Sequence, residues 1–330
     1  MTRATLILLF AIAMSALTAA QRQQPTFRAA TRGVSVDVSV RDGNLPVAGL
    51  TADDFVVYDG DVKQTLASVS VGAVPLDATI FLGTNNQSAA RQLESLSSDI
   101  RKITGLLRPG DRVRLLTLGN QVRDVFGWRA AGEAAPAMQV QVGGVQALYD
   151  ACFLAMMHRP DPDRRHLIVA VTDGVEFGSV VDSTTVRDAA RRAEAVFHLV
   201  FVDSVVQQST LSGNLGAGGQ LIGLSGNGVP DQRDTGFKFL RASWFHVMPD
   251  DKGLERLQEA ARLTGGSIRR GSSGETFIES FRKALEDFRQ SYLLRYTAEG
   301  VPLDGWHDLR VEVKNGAKYT IRARKGYFGG

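Results

Sequence analysis

The chain has 330 residues, of which 44% are hydrophobic and 22% charged, a composition typical of a protein with a sizeable buried core. Its formal net charge is only +3, and its basic residues are scattered, with isolated pairs at Arg164–Arg165, Arg191–Arg192 and Arg269–Arg270. We expect these pairs to lie on solvated faces, and their spacing argues against a nucleic-acid-binding stripe. The single cysteine, Cys152, excludes an internal disulfide, so packing alone must stabilise the fold.

Residues 1–20, MTRATLILLFAIAMSALTAA, place one arginine before an apolar run from Ala4 to Ala16, followed by small residues up to Ala20. This order is typical of a secretory signal peptide, and the apolar run is short for a membrane span. We expect cleavage near Ala20 and a periplasmic or extracellular protein that has no stable membrane span after cleavage. An uncleaved anchor helix is the alternative.

Both ends of the remaining chain predict β-strands. VSVDVSVRDG places Val34, Val36, Val38 and Val40 on one face, and FVVYDGDVKQTLASVSV repeats the alternation around a turn at Asp59–Gly60. Towards the other end, Asn315–Gly316 is a hairpin signal between two alternating strands. We expect residues 27–74 and 291–330 to form one β-sandwich, because neither half has enough strands to bury an apolar face by itself.

Residues 75–290 alternate short apolar runs with helix-length segments. Ala78 to Leu82 precedes a helical pattern of about twenty residues that ends at Pro109–Gly110. HLIVAVTDG is nearly continuous in apolar residues, as buried parallel strands are. Strands are also predicted at 112–118, 121–126 and 196–204, and helices at 147–158, 183–195, 275–288 and 253–263, the last of which is expected to stop at Gly265–Gly266. The pattern predicts an α/β fold with a doubly wound, mostly parallel, Rossmann-like sheet, interrupted by a long glycine-rich surface insertion at 204–243.

Three features of this middle segment resemble the von Willebrand factor type A (VWFA) fold. They are the polar loop after the first core strand, the GG-x-x-ALYDA stretch that begins at Gly143, and the strand that closes in Thr172-Asp173-Gly174. The flanking segments GLTADDFVVYDGDVKQTLASV (49–69), YLLRYTAEG (292–300) and RARKGYF (322–328) are similar to those of the bacterial VWFA-related family of exported proteins. The resemblance implies a VWFA-like domain over 75–290.

The resemblance also implies a metal-ion-dependent adhesion site, in which an Asp-x-Ser-x-Ser motif, a Thr and an Asp bind Mg²⁺ or Mn²⁺ and leave a place for a partner's carboxylate. In this sequence Gly83 stands for the first Asp, Asn85 and Gln87 for the serines, and Gln146 for the Thr, so that only Asp173 is of the expected type. One carboxylate offsets little of the dehydration cost of a divalent ion. We therefore expect a degenerate site with no cofactor, or with Mg²⁺ or Mn²⁺ bound weakly at most through Asp173.

Together these patterns predict an exported, non-enzymatic protein that binds a protein partner or acts as a scaffold. The binding face is expected where three loops meet at the top of the sheet, in the residues Thr84, Asn85, Gln87, Ser88, Gln146, Asp173 and Glu176. A purely structural role is the alternative, with the amides bonded to the loop backbone and Asp173 capping a turn.

The common catalytic motifs are not found in the sequence. GLSGNG (223–228) departs from G-x-S-x-G at Asn227, and GAGG (216–219) departs from G-x-G-x-x-G at Leu221. His198 and Cys152 lie in apolar stretches and are predicted to be packed core residues. Two alternatives stay open: a metal-dependent adhesin with an altered site, and a secreted hydrolase whose site is built by the 204–243 insertion, near Asp231, Asp234 and His246.

Overall fold

The computed structural model describes residues 33–83, 101–118, 122–133, 146–158, 161, 163–174, 176, 178–201, 252–272, 275–302, 304–316 and 318–329. Its strands are β1 (Gly33–Asp42), β2 (Leu45–Pro46), β3 (Phe55–Asp59), β4 (Val62–Gln64), β5 (Leu66–Val71), β6 (Leu76–Gly83), β7 (Arg112–Leu118), β8 (Val122–Ala130), β9 (Arg165–Thr172), β10 (Val196–Phe201), β11 (Ile268–Arg270), β12 (Tyr292–Thr297), β13 (Gly305–Val313), β14 (Thr320–Ala323) and β15 (Gly326–Gly329). Its helices are α1 (Arg101–Thr104), α2 (Leu148–Met157), α3 (Ser183–Arg192), α4 (Gly253–Leu263) and α5 (Phe277–Arg289), and a 3-10 turn spans Ala52–Asp54.

Six strands from the middle of the chain form one sheet in the order β11-β10-β9-β6-β7-β8. Pairing is parallel from β11 to β7, and β8 is antiparallel to β7. Every residue of β9 is buried, in agreement with its apolar sequence. Because the strand order reverses between β6 and β9, the carboxyl ends of these two strands form a topological switch point, where open α/β sheets bind their ligands.

Helices cover both faces of this sheet. On one face, Ile80 of β6 and Val169 of β9 pack in a core that includes Phe281 of α5. On the other face, Phe81 and Ile168 pack in a core to which α2, α3 and α4 contribute. Adjacent strand residues thus belong to opposite cores, as the alternation of side chains along a strand requires. The predicted α/β class is confirmed.

The helix ends follow local sequence signals. α5 begins with a capping box, in which the backbone N of Glu279 donates to Thr276 Oγ1 (3.2 Å) and that of Thr276 donates to Glu279 Oε2 (2.9 Å). α4 ends before Gly265, which has a φ of +80°, and a Cβ on Gly266 would overlap the carbonyl oxygen of Phe197. The predicted stop at Gly265–Gly266 is confirmed, and the second glycine also lets the chain pass close to β10.

Two helices differ from their predicted lengths. α3 ends at Arg192, short of the predicted residue 195, because its C-cap Ala193 is already extended as the chain enters β10. Of the long helix predicted before Pro109, the structure describes Arg101–Thr104 as helical and residues 105–108 as turn and irregular backbone, whereas residues 84–100 lie outside the described residues. Among the described residues, no helix combines the length and the apolar character needed to cross a membrane.

Strands from the two ends of the described chain form two further sheets, which are antiparallel. One has the order β14-β1-β12-β5, with β2 paired to β1, and the other has the order β15-β13-β3-β4. Residues of both sheets line a single core, which contains Val34, Val36, Val38 and Val40 of β1. The predicted common face of these four valines is confirmed.

The hairpin predicted at Asn315–Gly316 is wrong. A tight turn does form, since Asn315 has a φ of 58° and the Gly316 N–H donates to the Val313 carbonyl (3.0 Å). However, β13 pairs with β3 and β15, whereas β14 pairs with β1 in the other sheet. The turn therefore carries the chain between sheets, because pairing with β1 allows Ile321 and Ala323 to pack on the shared core.

The expectation of a solvated face is also wrong for Arg164 and Arg165. Arg165 is only 4% exposed, and it donates from Nε to Asp37 Oδ1 (2.7 Å) and from Nη2 to Ser291 Oγ (2.6 Å). Arg164 Nε donates to the buried carboxylate of Asp77 (2.6 Å). Both arginines join segments that are distant in sequence, so their charges are neutralised inside the protein.

Candidate functional site

The switch point between β6 and β9 brings together the described part of the predicted binding face. β6 ends at Gly83, Asp173 and Glu176 follow β9, and Gln146 lies just before α2. Together with Val180, these residues are called the carboxyl edge below. Of the other predicted residues, Thr84, Asn85, Gln87 and Ser88 lie outside the described residues, as do Asp231, Asp234 and His246 of the hydrolase alternative.

Gln146 ties the start of α2 to the end of β9. Its buried Nε2 donates to Thr172 Oγ1 (3.0 Å), and the same hydroxyl accepts from the backbone N of Gly174 (3.0 Å). The Gln146 carbonyl accepts from the backbone N of Gly178 (3.2 Å). Gln146 Oε1 is buried without a hydrogen-bond partner among the described residues. The Gln146 side chain therefore mainly joins the start of α2 to the end of β9, and its Oε1 remains a buried acceptor.

The carboxylate of Glu176 is fully engaged in the loop. Its Oε1 accepts from the backbone N–H groups of Gly178 (2.8 Å) and Ser179 (2.9 Å), and its Oε2 accepts from Ser179 Oγ (2.8 Å) and from the backbone N of Tyr149 (2.9 Å). Tyr149 lies in the first turn of α2, where N–H groups lack intrahelical partners and the helix dipole favours a negative charge. Glu176 thus binds the loop to the helix rather than standing free for a ligand.

Asp150, which the sequence did not single out, completes this attachment. Its carboxylate accepts from the backbone N–H groups of Val180 (2.9 and 3.1 Å) and Val181 (3.0 Å), while its own N–H donates to Ser179 Oγ (3.1 Å). Its place in the first turn of the predicted helix was the available signal, since Asp is favoured there. The Val180 side chain, held by this backbone, is 86% exposed.

A second exposed apolar side chain lies on the same edge. Leu254 of α4 is 46% exposed, and its Cδ1 would be 3.6 Å from a Cβ placed on Gly174. Phe201 at the end of β10 approaches the same glycine. Gly174 has a φ of +83°, so the turn after Asp173 requires a residue without a side chain, both for its backbone and for this close packing.

The described residues of the carboxyl edge do not fit a divalent cation. Gly83 offers no side-chain ligand, Glu176 is saturated by N–H and O–H donors, and Asp173 already has an interaction partner. Within the described residues, no group of three or more His, Cys, Asp or Glu side chains could hold a metal ion. One carboxylate beside the neutral Gln146 oxygen offsets little of the charge of Mg²⁺. The loop at 84–88 lies outside the described residues, so loss of metal binding stays a prediction.

Two residues weighed as chemical groups are core residues, as predicted. Cys152 is fully buried in α2, and burial, followed by the negative charge of Glu176, raises the pKa of its thiol well above the usual value. A protonated and enclosed thiol is a poor nucleophile. His198 is buried in β10, where its Nδ1 bonds Ser267 Oγ, and burial lowers its pKa to about 4.

No protein-family model and no curated protein matches the chain. Solved structures similar to it include a von Willebrand factor type A protein from Catenulispora acidiphila, with 9% identity over 92% of this chain and 76% of that one and a TM-score of 0.40. BatB from Bacteroides thetaiotaomicron has 12% identity over 64% and 98% of the two chains, with a TM-score of 0.38. Proximal thread matrix protein 1 from the mussel byssus has 10% identity and a TM-score of 0.31, and the chain covers 38% of its length. Similarities this weak assign neither a family nor a function.

Proposed function

We propose that the chain is an exported, non-enzymatic protein that binds another protein through its carboxyl edge. The observation that carries the proposal is Val180, whose side chain is 86% exposed while its backbone is held by Asp150. An apolar group held in position before binding loses little conformational entropy when a partner covers it. Leu254 is a second exposed apolar side chain on the same edge, and the polar residues Asp173 and Ser179 stand next to Gly174 and Val180 in the chain, a mixture of apolar and polar groups found at protein interfaces.

Site-specific photo-cross-linking in the natural host tests this proposal. A photoreactive phenylalanine replaces Val180 in one variant and Leu45, which is 72% exposed on β2, in a matched control. We expect a discrete protein adduct from position 180 and none of the same mass from position 45. Asp150→Ala should weaken the adduct at position 180, because it frees the backbone that carries the probe. Equal adducts from both positions, or none from either, would contradict the proposal.

Cross-linking in the presence of EDTA and an activity screen separate the two rival functions from protein binding. Cross-linking that is abolished by EDTA would favour a metal-dependent adhesin, whereas we expect EDTA to leave the adduct unchanged. A panel of ester, peptide and glycoside substrates addresses a secreted hydrolase. Turnover that is lost in Asp231→Ala or His246→Ala would replace the binding function by an enzymatic one.

The proposal includes a VWFA-like, doubly wound architecture for residues 75–290 and one β-sandwich built from 27–74 and 291–330. Parallel pairing from β11 to β7, helices on both faces of that sheet and the core shared by the two terminal sheets support it. Truncation after Gly300 should then unfold the N-terminal strands as well. Strong hydrogen-exchange protection that persists at Val36, Val38 and Val56 in the truncated chain would show that the two ends fold independently.

Export is proposed from the signal-peptide pattern of residues 1–20. Mass spectrometry of the protein purified from its natural host should find a new N-terminus close to Gln21. A protein that begins at Met1 or Thr2 would refute cleavage, whereas a neighbouring cleavage site would not.

A further inference from the structure

A cleft lies between the terminal strands and the six-stranded sheet, away from the carboxyl edge. Its volume is about 390 Å³. We call it the basic cleft, and the charged residues that line it are Arg41, Arg269, Lys283, Glu286, Asp287 and Arg322. Arg41 and Arg322 come from β1 and β14, Arg269 from β11, and the other three from α5. The volume is in the range of small-molecule sites, and six of the ten lining residues are charged.

The carboxylates at the basic cleft neutralise only part of its positive charge. Asp287 is shared by two cations, with Arg41 Nη1 at 2.8 Å from Oδ1 and Arg322 Nη2 at 2.6 Å from Oδ2. Glu275, behind the cleft, is likewise shared by Arg269 (2.7 Å) and Lys283 (2.7 Å). Each carboxylate neutralises the charge of one of its two cationic partners. Each set of one carboxylate and two cations therefore keeps a net charge of about +1.

The remaining acid of the lining does not remove this excess. Glu286 pairs with Arg282, one turn earlier on α5 (2.9 Å), and both side chains are about half exposed. The pair is therefore neutral by itself and is screened by solvent. The basic cleft therefore has a net charge of about +2. Ion pairs with Asp287 and Glu275 keep its arginine and lysine side chains in defined positions.

Donors of the basic cleft are left over after these ion pairs. Arg322 Nε is buried without a hydrogen-bond partner among the described residues, although Nη2 of the same side chain bonds both Asp287 and Ser39. Lys283 carries three N–H donors, and its side chain is 45% exposed towards solvent. Burial acts to raise the pKa of the Glu275 carboxyl, but hydrogen bonds from Lys283, Ser280 and Arg269 hold that pKa well below its usual range, so the carboxylate stays charged and in place.

We propose that the basic cleft binds a small dianion that carries phosphate or paired carboxylate groups. Guanidinium groups match the oxygen geometry of both, and two negative charges match the excess of two positive charges. Only two of the lining residues, Ile268 and Ala284, have wholly apolar side chains, so charged groups provide most of the specific contacts that a ligand could make. This site is separate from the carboxyl edge, and its test does not depend on the proposed protein partner.

Isothermal titration of the full chain at pH 8 with inorganic phosphate, and separately with succinate, both of which are dianions at that pH, tests the proposal at constant ionic strength. We expect binding tighter than about 1 mM for at least one of them. The tighter ligand identifies whether phosphate or carboxylate is the preferred group. The absence of binding of either anion at about 1 mM would overturn the proposal.

Two variants of opposite sign locate the binding. Lys283→Gln removes one positive charge of the basic cleft and should weaken binding about tenfold, whereas Glu286→Gln removes a negative charge and should tighten it. Lys318→Gln is the matched control, because Lys318 is exposed and pairs with Asp42 outside the cleft. Equal weakening by Lys283→Gln and Lys318→Gln would mean that the anion responds only to net charge, and it would overturn the site. If Lys283→Gln folds poorly, Glu286→Gln still decides, because it should tighten binding more than Asp188→Asn, which removes an exposed negative charge outside the cleft; equal tightening by the two would overturn the site.

Discussion

Replacing Asp59 with alanine should destabilise the protein by about 3–5 kcal/mol. Asp59 is fully buried where β3, β12, β13 and β15 meet. Its Oδ1 accepts from His307 Nδ1 (2.8 Å), and its Oδ2 accepts from the hydroxyl groups of Tyr296 (2.9 Å) and Tyr327 (2.6 Å). All three donors are buried too, so water cannot readily replace the lost acceptor.

The magnitude follows from these three bonds. A hydrogen bond to a charged group contributes about 1.5–3 kcal/mol, and a buried polar group left without a partner costs about 1–3 kcal/mol. The three losses share one acceptor and are therefore not additive, which keeps the expected total near the value for breaking a buried ion pair. Tyr296→Phe removes one donor and leaves the Asp59 carboxylate with two, so it should cost only about 1 kcal/mol.

Urea unfolding of the full chain, followed by circular dichroism, measures the free energy of unfolding for each variant. Asp61→Ala is the matched control, because Asp61 lies in the same hairpin and is exposed. It should change stability by no more than about 0.5 kcal/mol. A cost below about 1 kcal/mol for Asp59→Ala would refute the reasoning, because the buried network would then contribute no more than a surface residue does.

Calorimetric titration with Mg²⁺ should give a dissociation constant no tighter than about 10⁻⁴–10⁻³ M, and micromolar binding that Asp173→Ala abolishes would contradict this. Gly266→Ala should cost at least about 3 kcal/mol in urea unfolding, because its Cβ would overlap the Phe197 carbonyl oxygen; a midpoint equal to that of the wild type would count against the close packing. Burial lowers the pKa values of His166 and His198 to about 4 from 6.5, so the unfolded chain binds more protons between these values and stability should fall as the pH is lowered. From about pH 7 to pH 5 the expected loss is about 2 kcal/mol for each histidine, and a glutamine at either position that leaves the pH dependence unchanged would contradict it.

Features that depend on neighbours in sequence were predictable from the sequence. The alternation of Val34, Val36, Val38 and Val40 specified which face of β1 is buried, because side chains along a strand alternate between its two faces. The glycine pair after α4 specified the end of that helix. The alternation of strands and helices over 75–290 likewise predicted the α/β class. A strand and a helix bury one face with apolar residues at different spacings, so the two kinds of element can be distinguished in the sequence.

Which segments become neighbours in space was decided by the tertiary structure. Asp59 read as part of a turn, yet its partners His307, Tyr296 and Tyr327 come from the other end of the chain. Arg165 read as a surface charge, yet Asp37, 128 positions away, neutralises it in the interior. A local pattern contains no information on a partner so distant, and a buried charge is stable only once that partner is in place.

The carboxyl edge shows the same division. Asp173 and Glu176 were expected at one edge, because the carboxyl ends of parallel strands meet there. Their different roles depend on α2: its first-turn N–H group at Tyr149 and the loop donors at Gly178 and Ser179 engage both oxygens of Glu176. The sequence by itself determined where polar side chains gather. Only the packing of α2 against the loop decided that the Glu176 carboxylate is used for internal hydrogen bonds. A carboxylate accepts hydrogen bonds from whichever unpaired N–H groups the fold brings within reach.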